Sequence, residues 1–423
     1  MNKLPTLNAL NYLLEKYFWL VATLMVLIDT FNGFFVKALK VSLPISIIAK
    51  LTLVLFAISY LSRIRCKKII YIFIVSFLFI APVFIRSIIA VNSHFLLEID
   101  VALKYISYIL FLLLFHELSI KTVDFEKRVN RLLVFSFCVI CINVLLGYLG
   151  VGYPTYASTG DGFKGFFVAG NELSILFVVL SIYLMNDIIT NKGNILFLIF
   201  WGFTVFVALS IGTKSSLIFL IFSGVYIATS EIYKKYGVVY FLSYFSLLIV
   251  FVVLAYSQFN FNHLLSISTI ARAYEKFNSL NLYEFLFSGR LTWVRQFYNL
   301  ASPDFSVLNL FIGIGYAEVG NLLEGKFLIE SDLVDFFNIF GIGALLFSIA
   351  MNVFFILYPM FSKNNKYTRP IFIANFVVLL SACLAGHAWS SGMLLICLSA
   401  LNGLVFINLR KNRMVSHIKK SSK

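Results

Sequence analysis

Three short stretches of the 423-residue chain hold residue types suited to chemistry on a charged substrate. Gly212-Thr213-Lys214-Ser215-Ser216 is a tight break between two apolar runs. The helix after it must start with free backbone N–H groups, a hydroxyl to cap it and one full positive charge. Such a terminus suits a pyrophosphate group, with Lys214 and Ser215 as ligands. An interfacial lysine reaching for water beside an ordinary hairpin is the competing account. The second stretch is Ser288-Gly289-Arg290, followed by Trp293 and Arg295 and preceded by Arg272. Arginine offers a rigid fork of donors that matches phosphate oxygens, although an isolated loop arginine is ordinarily just solvated. The third is Glu330-Ser331-Asp332, with Asp335 one turn further on. A carboxylate entering an apolar helix is costly, and less so near the interface. Burial raises its pKa and equips it as a base, while neighbouring arginines lower it again. His387, near the outer end of a later apolar run, is a further candidate ligand or base, against the ordinary reading of a structural histidine.

The elements that must hold these residues in place are membrane helices. With 61% hydrophobic and 13% charged residues, and a mean hydropathy of +0.93, the chain has too little polar surface to coat a water-soluble globule of its size. In lipid every backbone polar group needs an internal partner, and apolar runs of about 17 to 22 residues fit helices rather than barrel strands. The fold expected is therefore all-α, a polytopic membrane protein with residues 1–423 as one transmembrane domain. About twelve spans are predicted, near 17–36, 43–62, 69–86, 99–116, 132–150, 173–189, 195–211, 216–232, 238–257, 333–357, 370–386 and 389–408. The first is read as a retained span, because no small-residue cleavage site follows it.

A net charge of +15 raises nucleic acid as a partner, yet the basic residues sit in short clusters between apolar runs rather than on one basic face. They serve instead as orientation signals. With both termini cytoplasmic, Arg63, Arg65, Lys67 and Lys68, then Lys121, Lys127, Arg128 and Arg131, then Lys234 and Lys235, then Lys363, Lys366 and Arg369, and the tail from Arg410 all fall inside, as the positive-inside rule asks. The longer loops, 153–172 and above all 258–332, then fall outside, and function is expected there. Within the larger loop, Leu291, Val294, Phe297 and Tyr298 mark an amphipathic helix lying along the membrane surface or capping a cavity. The pair Cys138 and Cys141 lies inside an apolar run and reads as core packing rather than as a metal or redox site.

The order of these motifs resembles that of the O-antigen polymerase and O-antigen ligase superfamily over roughly residues 200 to 350. The likeness runs through Gly212-Thr213-Lys214-Ser215 opening a span, Gly289-Arg290 with Trp293 shortly after, Gly313-Ile314-Gly315, and Glu330 eleven positions before Gly341. Gly170-Asn171 at the start of a span adds looser support. Lys214 stands where the ligases usually place an arginine, and Glu330 where they place a histidine, which favours the polymerase branch.

The resemblance implies transfer of a growing glycan from undecaprenyl pyrophosphate onto a lipid-linked repeat unit. The enzyme would sit in the bacterial inner membrane with its active site on the periplasmic face. It implies Arg290, Glu330 and Asp332 as catalytic residues. Lys214, Ser215, Arg272, Arg295, Asn171 and His387 would bind the pyrophosphate or the glycan. Expected partners are the lipid-linked oligosaccharide, membrane lipid and a chain-length regulator protein, with no nucleic acid. No Asp-x-Asp or nucleotide-binding glycine loop is present in the sequence, so neither a divalent metal nor a sugar nucleotide is expected. Two alternatives stay open. A ligase would share the pyrophosphate handling, and a flippase for lipid-linked sugars would carry charges deep in several spans, for which Asp29, Lys50 and Lys104 are the candidates.

Overall fold

The computed structural model describes residues 4–407 apart from 42, 65–68, 90–94, 157–159, 303–304 and 362–365. Within 259–288 it describes 271, 274, 275, 278, 279, 281, 284, 285 and 287, and over 4–11, 69, 236 and 238–258 it describes the backbone alone. Among the described residues the helices are α1 (Leu4–Lys37), α2 (Ile45–Arg63), α3 (Ile69–Ile89), α4 (Phe95–Lys121), α5 (Phe125–Tyr148), α6 (Gly170–Asn191), α7 (Asn194–Ile211), α8 (Lys214–Gln258), α9 (Arg290–Ala301), α10 (Val307–Ile312), α11 (Tyr316–Leu322), α12 (Asp332–Phe340), α13 (Ile342–Phe361), α14 (Thr368–Leu384) and α15 (Gly392–Gly403). A short 3-10 helix (Leu404–Phe406) follows α15, and one small hairpin pairs β1 (Tyr153–Pro154) with β2 (Phe163–Gly165).

Eight of these helices are long and apolar enough to cross a membrane, so the chain is an all-α membrane protein by length and composition. Two shorter apolar helices, Thr368–Leu384 and Gly392–Phe406, cover the last two predicted spans. Predicted spans 216–232 and 238–257 are one helix by hydrogen bonding, interrupted at Gly237 by a non-helical φ of 80°. The predicted span 333–357, conversely, is two helices. Gly341, at φ 82°, ends α12 before α13 begins. A side chain there would strike the backbone of Phe311 and Ile312, so glycine serves both the turn and the close approach of α10. The carboxylates Asp332 and Asp335 thus ride on a nine-residue helix of their own.

Two compact units make up the chain, residues 1–139 with 287–423 and residues 140–286. In the first, α4 packs against α3, α2 and α15, and α13 packs against α14. Rings from four elements meet around α12. Phe79 lies 4.9 Å from Tyr105 and 5.3 Å from Phe340, and Phe336 lies 5.0 Å from Tyr105 and 5.2 Å from Trp389, centroid to centroid. All but the tilted Phe79–Tyr105 pair are edge-to-face, and such contacts fix ring positions as well as burying area, seating α12 on α3, α4 and the turn before α15. On α14 and α15, Asn375 and Asn402 exchange side-chain hydrogen bonds at 2.7 and 3.2 Å, which satisfies two fully buried amides.

A buried ion pair ties the short helices to this core. Arg86, near the end of α3, donates to Glu98 at 2.6 Å and to the carbonyl of Ile312. The other oxygen of Glu98 accepts the backbone N–H of Tyr316 at 2.7 Å. One cation therefore caps the C-terminus of α10, and one carboxylate caps the N-terminus of α11, matching charge to helix polarity at both ends. The deep charges weighed for a transporter are also paired. Asp29 holds Lys50 at 3.3 Å and accepts from Ser46, and Lys104 pairs with Asp100 at 2.7 Å.

The second unit is built on α6, which is buried along most of its length and packs against α7 and α8. Thr155, beside the hairpin, donates to the carbonyl of Ile211 at 2.6 Å, fastening the hairpin to the end of α7. In α5, Cys141 is buried and Cys138 exposed, and neither is in a disulfide.

Candidate functional site

In the first unit, three of the predicted residues converge from separate segments. The amphipathic spacing read in the large loop produces α9, whose apolar face buries Phe297 and Ala301 against Val319, Leu323 and Ile329. That small core sets the rotation of α9. Arg290 opens the helix behind Gly289, which takes a left-handed conformation at φ 77°, and Trp293 follows three residues later on the same side of the helix. The Arg290 guanidinium is largely buried; it reaches Glu330 at 3.2 Å and the carbonyl of Leu384 at 3.1 Å. Its Nε has no hydrogen-bond partner among the described residues.

Glu330 receives a second cation that the motif reading did not single out. Lys326 lies 3.6 Å from the other Glu330 oxygen, and its ammonium stands 4.3 Å from the centre of the Trp293 ring, a cation–π distance. The four-residue spacing of Lys326 and Glu330 was legible. It is a helical spacing, however, and the segment carrying them is not helical.

Two carboxylates on α12 hold the segments that meet here. Asp335 accepts the backbone N–H groups of Ile329 at 2.7 Å and Glu330 at 3.1 Å. Asp332 accepts three in succession, from His387 at 2.6 Å, Ala388 at 2.7 Å and Trp389 at 2.8 Å. Both sit in the first turn of the helix, where the dipole favours negative charge. Asp332 is thus placed as the anchor of the turn that presents His387, with both oxygens engaged. Asp332→Asn keeps the shape but replaces one acceptor oxygen by a donor. It is expected to lower stability by roughly 1.5–3 kcal/mol, the worth of hydrogen bonds to a charged group, read as a lower apparent Tm of the purified protein.

Glu330 and His387 are two of only four described non-glycine residues with left-handed backbone, at φ 70° and 62°. Such conformations cost on the order of 1–3 kcal/mol and gather at functional sites. Between them, Gly386 lets the turn pass against the Glu330 backbone, where a side chain would collide. Burial pushes the His387 imidazole below its ordinary pKa; Glu330 pulls it back up, and Arg290 and Lys326 push it down again. The ring is therefore neutral at neutral pH and can accept or donate one hydrogen bond.

No family model and no curated protein matches the chain. The chemistry must therefore be read from the residues. Arg290, Lys326, Glu330 and His387 combine two cations, a carboxylate and a neutral imidazole around a half-exposed indole. Such a set can hold an anion and accept a proton from a hydroxyl.

The remaining candidates are exposed on α9, belong to the second unit or lie outside the described residues. Arg295 is exposed on α9, and Arg272 lies outside the described residues. In the second unit, Lys214 begins α8 after Gly212 ends α7 in the left-handed conformation, as the break in the sequence predicts. Thr213 bonds Ser174 at 2.8 Å and Ser216 at 2.8 Å, joining the first turns of α6 and α8, where Asn171 and Ser215 also sit. The Lys214 ammonium donates to the carbonyl of Phe285 and lies 4.4 Å over its ring.

Proposed function

We propose that this protein is a membrane glycosyltransferase that polymerises a bacterial surface polysaccharide, moving a growing glycan from undecaprenyl pyrophosphate onto a lipid-linked repeat unit. The observation that carries this reading is the Arg290–Glu330 contact, flanked by Lys326 and a neutral His387 and held by strained backbone. In the reaction, an acceptor sugar hydroxyl attacks the anomeric carbon of the donor glycan. The new glycosidic bond forms as the bond from that carbon to the diphosphate oxygen breaks. The electron pair leaves with undecaprenyl pyrophosphate, and the hydroxyl proton passes to Glu330. Arg290 stabilises charge developing on the leaving diphosphate, which needs no general acid. His387 hydrogen-bonds the sugar, and Asp332 acts through the turn that carries His387.

The reading places the site on the outer face of the cytoplasmic membrane with both termini inside, in keeping with the charge of the short loops. Its test is the surface glycolipid of a deletion strain. Loss of a polymerase leaves lipid carrying a single repeat unit, because export and ligation of one unit do not require polymerisation. Electrophoresis of extracted glycolipid resolves one repeat from none, and a complete loss of repeats would move the assignment to a ligase or flippase.

A further inference from the structure

We propose that Glu330 is an internal stand-in for a diphosphate: in the absence of ligand it occupies a seat formed by Arg290 and Lys326, and an incoming diphosphate takes both cations and frees the carboxylate. The inference rests on the reading of Arg290 as a diphosphate ligand, and adds Lys326 as its partner and an order of events. Each Glu330 oxygen faces a different cation, Arg290 at 3.2 Å and Lys326 at 3.6 Å. Both distances exceed the roughly 2.7–2.9 Å of a strong charge-assisted hydrogen bond, so the carboxylate is held loosely. Two cations share one carboxylate, which leaves a positive charge uncompensated within the trio, and Arg290 Nε has no partner among the described residues. Glu330 and Lys326 are 37% and 26% exposed, so a ligand reaches the outer half of the seat from solvent while Arg290 waits beneath.

A diphosphate brings more negative charge and more acceptor oxygens than one carboxylate, and so it displaces Glu330 from both cations. Freed from its cations, the Glu330 carboxylate is open to the acceptor hydroxyl. Donor binding thereby switches on the base that activates the acceptor, and the base stays quenched while the seat is empty. Lys326 also leaves the Trp293 ring when it turns to the ligand, which makes that indole a reporter.

The test is calorimetric titration of the purified full-length protein with inorganic pyrophosphate and, separately, with farnesyl diphosphate. Glu330→Gln removes the competitor and should bind pyrophosphate about tenfold more tightly than the wild type. Lys326→Ala should bind about tenfold more weakly, each change being of the size of one charge-assisted contact. Lys326→Arg should retain binding, which separates loss of charge from loss of fold. Wild-type tryptophan fluorescence should shift on titration, and Trp293→Phe should lose that shift. Stronger binding of farnesyl diphosphate than of pyrophosphate assigns the lipid-linked source, and equal binding assigns the diphosphate alone. Pyrophosphate binding by Glu330→Gln no tighter than wild type overturns the stand-in, whatever happens to chain growth. Loss of chain growth in Glu330→Gln bears on the polymerase reading alone, so the two failures are distinguishable.

Discussion

Arg290→Ala is expected to reduce chain growth by about 100-fold or more in a protein that still inserts, the usual cost of removing one preorganised charge stabiliser from a transition state. The expectation follows from the position of the guanidinium, largely buried and held by Glu330 and the Leu384 carbonyl. Arg290→Lys should restore little, because an ammonium cannot bridge two acceptors with the flat fork of a guanidinium. Glu330→Gln keeps the shape and loses the proposed base, so a strong defect is expected there as well. The measurement is extension of lipid-linked repeat units by each purified variant at equal protein in the membrane fraction. Near-normal extension by both Arg290→Ala and Glu330→Gln would refute the site.

Glu98→Ala is expected to destabilise the protein by about 3–5 kcal/mol, since it leaves the Arg86 charge buried without its partner. Glu98 is fully buried and serves two groups, the Arg86 guanidinium and the Tyr316 N–H. The double replacement Arg86→Met with Glu98→Leu removes both charges and should recover part of that loss. It cannot recover all of it, because Ile312 and Tyr316 still lose the groups that cap their helices. Thermal unfolding of the wild type, Glu98→Ala and the double variant in one detergent gives the loss and the recovery. A single-variant loss below about 1 kcal/mol would mean that water reaches the pair and screens it.

The sequence predicted the helical membrane architecture because hydrophobicity at the scale of a span is a local property. Twenty apolar residues demand lipid wherever they fall, and a lipid-embedded backbone has to be helical. The starts of α8 and α9 were legible for a similar reason. Gly212 and Gly289 stop or open a helix within one or two residues, so the turn chemistry is written where it acts. Arg290 and Glu330 were each recognisable as candidates. Their contact across forty residues was not, since it depends on where the small core under α9 puts that helix.

Tertiary structure alone decided the rest, because pairings between distant residues follow from backbone paths that local pattern does not encode. Arg86 and Glu98 were not singled out in the sequence, and only the approach of α10 and α11 makes them a double cap. Asp332, read as a partner of the base, has its oxygens filled by the turn at 387–389, a contact created by left-handed backbone at His387 that nothing in the residue itself requires. An apolar run read as one span became two helices, because the backbone of Phe311 and Ile312 had to pass where Gly341 has no side chain. Composition determined that this chain lives in a membrane as helices. The route of its short, broken outer segments determined which charges meet, because ion pairs at roughly 3 Å are set by backbone positions that hydrophobic pattern leaves free.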